Sequence, residues 1–179
     1  VVVTDGPVNA STDTFVIEVR GRQGHGARPH EAVDAIVVAS MIVVALQTVV
    51  SREIDPAQPA VVTVGRLQAG TAANVIAGVA ELEGTIRAQR NEVREQLCRS
   101  VQRVAETVGV LNGAEVVVTI HRGTPPVVNA SLPTSLARLA ALEVVGDARV
   151  LRLDGANMGG EDFSFYLQHV PGCYIRYGS

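Results

Sequence analysis

The chain has no lysine and no tryptophan, and only two cysteines, three tyrosines and three phenylalanines in 179 residues. Without lysine there is no Schiff-base nucleophile and no phosphate-loop ammonium. All fifteen cationic side chains are arginines. Cys98 and Cys173 stand far apart and form no C-x-x-C, which excludes a disulfide framework and a zinc knuckle and suits a reducing, cytoplasmic setting. The net charge is −3, so no basic excess marks the chain for nucleic acid or an anionic membrane. No signal-peptide core is visible, because Val1-Val2-Val3 runs at once into Asp5 and a Gly-Pro turn.

Long hydrophobic runs are also scarce. The single strong one, residues 35–50, is interrupted by Ser40, Gln47 and Thr48 and flanked by Asp34 and Arg52. It falls short of the roughly 20 residues that a membrane span requires, and is predicted to be a core helix. It is apolar nearly all round, so one side can meet a sheet and another a partner subunit.

Hydrophobic residues make up 47% of the chain and charged residues 18%, a globular balance with enough length for one domain or two small ones. Residues 14–20 alternate, with Phe15, Ile17 and Val19 on one face and Val16, Glu18 and Arg20 on the other, the pattern of a half-buried strand. A helix is predicted from about Glu31 to Glu53, stopped by Asp55-Pro56 and Pro59. Valine-rich residues 60–67 read as a second strand. Residues 79–88 alternate again, Ala80, Leu82 and Ile86 inward and Glu81, Glu83, Thr85 and Arg87 outward. From Asn91 to Val108 the residues Val93, Leu97, Val101, Val104 and Val108 form one helical stripe. Asn112-Gly113 marks a turn before a strand over residues 115–121.

The resulting order, β-α-β-β-α-β, predicts an α+β, ferredoxin-like domain over residues 13–122, with both helices on one sheet face. Pro125-Pro126 then makes a stiff crossing. Residues 124–179, read as a short helix (133–145), a strand (150–153), a glycine-rich turn and a last helix and strand, are too few for an independent domain.

The most telling stretch is Gly24-His25-Gly26-Ala27-Arg28-Pro29-His30. Glycine on both sides leaves the His25 imidazole free to reach out of a tight turn, and Pro29 fixes φ ahead of the helix. Read from the residues alone, a turn histidine in solvent explains His25 about as well as a ligand-facing role does. His30 reads as a contact at the helix start.

Taken in order, several segments resemble the M20 family of metallopeptidases, within it the amidohydrolase branch that cleaves N-acyl amino acids such as hippurate or indole-acetyl-amino acids. They are Asp13-x-Phe15, the Gly24-to-His30 stretch, Val33-Asp34-Ala35-Ile36, Ala45-Leu46-Gln47, Ser51-Arg52-Glu53 and Val62-Thr63-Val64-Gly65. Ala69-Gly70-Thr71-Ala72-x-Asn74-Val75-Ile76, Gly84-Thr85-Ile86-Arg87 and Met158-Gly159-Gly160-Glu161-Asp162-Phe163-Ser164 complete the series. Two positions depart from the family pattern: Gln23 stands for a glycine and Ala77 for a proline.

The resemblance implies an inserted lid and dimerisation domain at residues 13–122, followed by part of the catalytic α/β domain at residues 124–179. It implies metal-dependent hydrolysis of the amide bond of N-acyl amino acids or peptides, with two divalent metals such as zinc or manganese in intact relatives. Those ligand segments find no match here, and His25, His30, His121 and His169 have no carboxylate or thiolate partners at ligand spacing. The expectation is therefore a partial hydrolase that holds no metal and is inactive alone. By resemblance His25 contacts the oxyanion across a homodimer, Asn74 and Arg87 bind the substrate carboxylate, and Glu161 contacts substrate. From the residues alone Asn74 can equally be an Asx-turn residue, Arg87 a cross-strand partner of Glu81 and Glu83, and Glu161 an acidic residue in the first turn of a helix. The alternative is a stand-alone ferredoxin-like dimerisation module, or one that binds a small carboxylate.

Overall fold

The computed structural model describes residues 1–178. The chain folds into two compact units, one made of Val1–Thr12, Arg87–Arg94 and the chain from Gly123 onward, the other of Asp13–Ile86 and Glu95–Arg122.

The second unit is built on four strands: β2 (Asp13–Arg20), β4 (Ala60–Ala69), β6 (Val79–Ala88) and β7 (Glu115–Arg122). Four shorter strands lie outside this sheet: β1 (Gly6–Asn9), β3 (Gly24–His25), β5 (Val75–Ile76) and β8 (Val127–Asn129). The sheet order is β4-β6-β2-β7, the ferredoxin-like arrangement expected from the alternation in the sequence, in an α+β fold. β2 pairs antiparallel with β6 and β7 along its full length, Ile17 facing Leu82 on one side and Val118 on the other. Phe15, Ile17, Val19, Ala80, Leu82 and Ile86 are all buried, so the strand residues predicted to face inward do so.

Two helices cover that face. α1 (Ala35–Thr48) begins four residues later than the sequence predicts. The reason lies in Arg22 and Val33, whose backbones exchange two hydrogen bonds of 2.9 Å and hold Val33 extended. Asp34 then caps the helix, its Oδ1 accepting from the Ile36 N–H at 2.9 Å, a stabilising use of an Asp at this position. Pro29–Glu31 forms a separate short 3-10 turn, and the far end of the run closes as a π-helical turn, Val49–Glu53. The helical run Ala35–Glu53 is long and apolar enough by length and composition to cross a membrane. Here Ala35, Val38, Ala39, Ile42, Leu46 and Val49 are buried, while Ile36, Val37, Met41 and Val44 on the outer side are exposed, Val44 by 70%.

α2 (Asn91–Leu111) buries Val93, Leu97, Val101 and Val104 of the predicted stripe, while Val108 at its far end is only half-buried. Its middle is tied to the end of the first helical run. The Glu53 carboxylate accepts from Ser100 Oγ at 2.7 Å and from Arg103 Nη2 at 2.6 Å, and Gln96 Nε2 donates to the Glu53 carbonyl at 2.8 Å.

The first unit joins distant parts of the chain. β1 (Gly6–Asn9) pairs antiparallel with β8 (Val127–Asn129), a pairing not visible in the sequence because both strands are too short to establish an alternation. α3 (Ser131–Val145) follows, and α4 (Ser164–Leu167) is a single turn. The strand expected at 150–153 is reduced to one bridge between Leu151 and Val2, and the final strand to one between Arg176 and Val2.

Two outcomes test this account. The Ser100 hydroxyl, then Arg103, lowers the Glu53 carboxyl below its ordinary pKa. A carboxylate so lowered contributes stability that is present above the unfolded-state value and lost as pH falls through the folded one. Glu53→Gln should therefore flatten the acid limb of a stability–pH curve below about pH 4.5 and cost about 1 kcal/mol at neutral pH, a value kept small by the partial exposure of the pair. Gly84→Ala should cost about 3 kcal/mol in urea unfolding, because its Cβ would lie 2.2 Å from both Phe15 Cζ and the Thr63 carbonyl oxygen.

Candidate functional site

His25 and Asn74 lie 49 positions apart and are brought together by the smallest sheet in the molecule. β3 (Gly24–His25) pairs antiparallel with β5 (Val75–Ile76), His25 facing Val75 and Gly24 facing Ile76. The Gly26 N–H extends the pair by donating to the Asn74 carbonyl at 2.8 Å. The absence of side chains makes this approach possible. A Cβ on Gly26 would stand 3.0 Å from that carbonyl oxygen, and one on Gly24 would stand 2.7 Å from Ala32 Cβ. The glycines beside His25 thus serve close packing as well as turn freedom.

The His25 ring is exposed and its orientation is fixed from behind. The Ala27 backbone N–H donates to His25 Nδ1 at 3.0 Å. Nδ1 is then the acceptor nitrogen, so in the neutral ring the proton sits on Nε2. The structure places an N–H donor at the outer end of a turn whose other side is Asn74. His30 is separate: it sits on the 3-10 turn with Nε2 3.6 Å from a Glu31 carboxylate oxygen, a local contact ahead of α1.

Arg87 and Glu161 belong to the other unit. Arg87, half-buried on β6, donates from Nη1 to the Met158 carbonyl at 3.0 Å. The cross-strand ion pair open to it in the sequence goes elsewhere, since Glu81 and Glu83 are both bound by Arg66. Glu161 is held by three contacts. Tyr174 Oη donates to its Oε2 at 3.0 Å, the Phe163 N–H points at Oε1 at 3.4 Å, and the Ser164 hydroxyl donates to its backbone carbonyl at 2.7 Å. Hydrogen bonding with the Asp162 carboxyl, then with Tyr174 and Phe163, lowers the Glu161 pKa, while the same bond to Glu161 raises that of Tyr174. Glu161 is therefore a fixed, charged acceptor at neutral pH. Tyr174 and Ala27 are the contributors that sequence reasoning missed. A single tyrosine well downstream of Glu161 and a backbone amide leave no pattern to find.

The donor set does not fit a two-metal centre. The four histidines stand on separate elements, and among the described residues no three of His, Cys, Asp and Glu converge as metal ligands.

The four-stranded sheet carries two helices on one face, and the glycine-flanked His25 stands on the short ribbon beside it. A family model described as a peptidase dimerisation domain matches residues 11–111, and the chain belongs to the M20 peptidase/amidohydrolase superfamily. It is 38% identical over 175 residues to the N-acetyl-L-cysteine deacetylase of Bacillus subtilis strain 168, covering 97% of this chain and 41% of that protein. A solved structure from methicillin-resistant Staphylococcus aureus, described as an aminohydrolase, aligns over 99% of this chain and 47% of its own with a TM-score of 0.89 and 28% identity. The YXEP protein of Bacillus subtilis, a dinuclear metal-binding peptidase of the M20 family, aligns over 96% of this chain and 42% of its own with a TM-score of 0.75 and 31% identity. The chain thus spans less than half the length of each of these proteins.

The imidazole offers a direct check. Long-range proton–nitrogen spectra at a pH where His25 is neutral should give the Nε2–H tautomer, and Gly26→Ala, which crowds the Asn74 carbonyl, should shift the Ala27 and Asn74 amides together. A dominant Nδ1–H form would contradict the geometry.

Proposed function

We propose that this chain is the dimerisation domain and an adjoining part of the catalytic domain of an amidohydrolase that cleaves N-acyl amino acids. Residues 13–122 would form the dimerisation domain and residues 124–179 the catalytic-domain part. The observation that carries this reading is the His25–Asn74 juxtaposition: an exposed imidazole held at Nδ1 by the Ala27 N–H, with the Asn74 backbone bonded to Gly26 at the end of the same short ribbon. In the reaction a water oxygen adds to the acyl carbon, the C–N bond breaks and the amine leaves with a proton. Negative charge collects on the carbonyl oxygen as the water adds. A fixed donor such as His25 Nε2–H gains strength at that moment and therefore lowers the barrier. Asn74 would donate its side-chain amide to the substrate carboxylate. Arg87 has one nitrogen committed to Met158, and the rest of its fork matches a carboxylate. Glu161, charged and held by Tyr174, would accept from the substrate rather than give a proton.

The homodimer belongs to the same proposal. Ile36, Val37, Met41 and Val44 form an exposed apolar row on the outer side of α1, and β4 leaves an unpaired backbone edge beside it. One two-fold contact covers both.

Two measurements decide these points. Titrating the nitrogen-15-labelled chain with N-acetylglycine should shift the His25, Ala27 and Asn74 amides, and Asn74→Ala should weaken binding about tenfold, the value of one hydrogen bond to a charged group. Unmoved resonances at all three positions would reject the site. Sedimentation equilibrium at micromolar concentration should give the dimer mass, and Val44→Glu should return the monomer. A wild-type chain that stays at the monomer mass would reject the interface.

A further inference from the structure

Beside the β3–β5 ribbon lies a surface hollow of about 190 Å³, bounded by Gln23 and the Gly70-Thr71 turn and floored by residues 75–79. Its floor includes Val75 and Ile76, the residues that pair with His25 and Gly24, so the hollow and the His25–Asn74 site share one strand. Gly70 turns the chain with φ of +75°. A Cβ at Gly78 would come 3.1 Å from the Gln23 backbone N and Cβ, so the bare glycine lets residue 23 lie against the floor.

The lining chemistry is specific. Two polar side chains border the hollow, the Gln23 carboxamide and the Thr71 hydroxyl, and no charged group does. Neither has a hydrogen-bond partner among the described residues. The remaining wall is aliphatic, from Val75, Ile76, Ala77 and Val79. Each polar group can both donate and accept. The space holds roughly six waters, enough for a side chain of four or five heavy atoms.

We propose that this hollow is a specificity subsite for the amino-acid side chain of the substrate, and that it selects an uncharged carboxamide over a carboxylate of the same shape. The inference rests on the reading of His25 and Asn74 given above. A carboxamide can accept from Gln23 and donate to Thr71 at once. A carboxylate can only accept, meets no cation in the lining, and loses water without replacement. An alkyl chain of equal length leaves both polar groups without partners, which a site built for hydrogen bonding disfavours.

The experiment compares three ligands on the nitrogen-15-labelled chain: N-acetyl-L-glutamine, N-acetyl-L-glutamate and N-acetylglycine. The glutamine ligand should bind about fivefold more tightly than the glutamate ligand, as one extra hydrogen bond gives. It alone should shift the Gln23 side-chain amide and the Thr71 backbone amide. In Gln23→Leu, an exposed position where folding is not at risk, the ratio between the two ligands should fall to near one. Equal wild-type affinities, or an unchanged ratio in Gln23→Leu, while N-acetylglycine still moves His25 and Asn74, would overturn the subsite and leave the parent site standing. No response at His25 and Asn74 to any of the three ligands would overturn the parent site and the subsite together.

Discussion

Phe15 on β2 is buried opposite a residue with no side chain, Gly84 on β6. The ring end occupies the space a Cβ would take, so two neighbouring strands share one thickness of side chain at that point. Strand β2 is central, bonded on both sides, and a shift of its register by one residue would move every buried side chain to the open face. The Phe15–Gly84 fit admits one register only. From that register follow the positions of β6 and β7, the face on which α1 and α2 rest, and the start of the chain segment that leads into β3.

The site residues inherit this order by different routes. His25 and Asn74 sit on loops that leave the sheet, yet the β3–β5 pair and the Gly26–Asn74 bond give those loops the rigidity of a strand. Hydrogen bonding to Nδ1 from a backbone amide costs the protein no further side chain and sets which nitrogen faces outward. Glu161 reaches the same end differently. Its charge is stabilised by neighbours on its own loop and by Tyr174 beyond α4, whose backbone N–H is in turn held by Asn129 on β8. Arg122 plays a comparable part at the sheet end, where its two terminal nitrogens face Asp13 and Glu95.

Much of the larger unit was legible in the sequence because alternation and helical stripes report a half-buried sheet and its covering helices. The inward sets on β2 and β6, and the stripe on α2 from Val93 to Val104, fell where periodicity put them. The start of α1 did not, since apolar periodicity cannot sense that Val33 is held extended by Arg22. The pairings of β1 with β8 and of β3 with β5 were also invisible: two to four residues carry no period, and their partners lie far along the chain. Of the site, residue types and local glycines pointed to His25, but its company with Asn74 rests on a pairing across 49 positions. Gln23 and Ala77, marked in the sequence only as departures from a family pattern, turn out to border one hollow.

The way the chain is threaded also bears on how it can be made. Unit 2 holds strands and helices that lie between residues 13 and 122, so its whole sheet exists once β7 has left the ribosome. The other unit needs segments far apart in the sequence, for Val2 exchanges backbone hydrogen bonds with Arg176 and the Val3 N–H donates to the Leu151 carbonyl. Closing so long a loop is slow even when its free-energy cost grows only gently with length. During synthesis residues 1–12 must therefore wait, without these partners, while a finished sheet stands behind them. A nascent chain of this design passes through a stage at which one half is native and the other has not yet met its own strands.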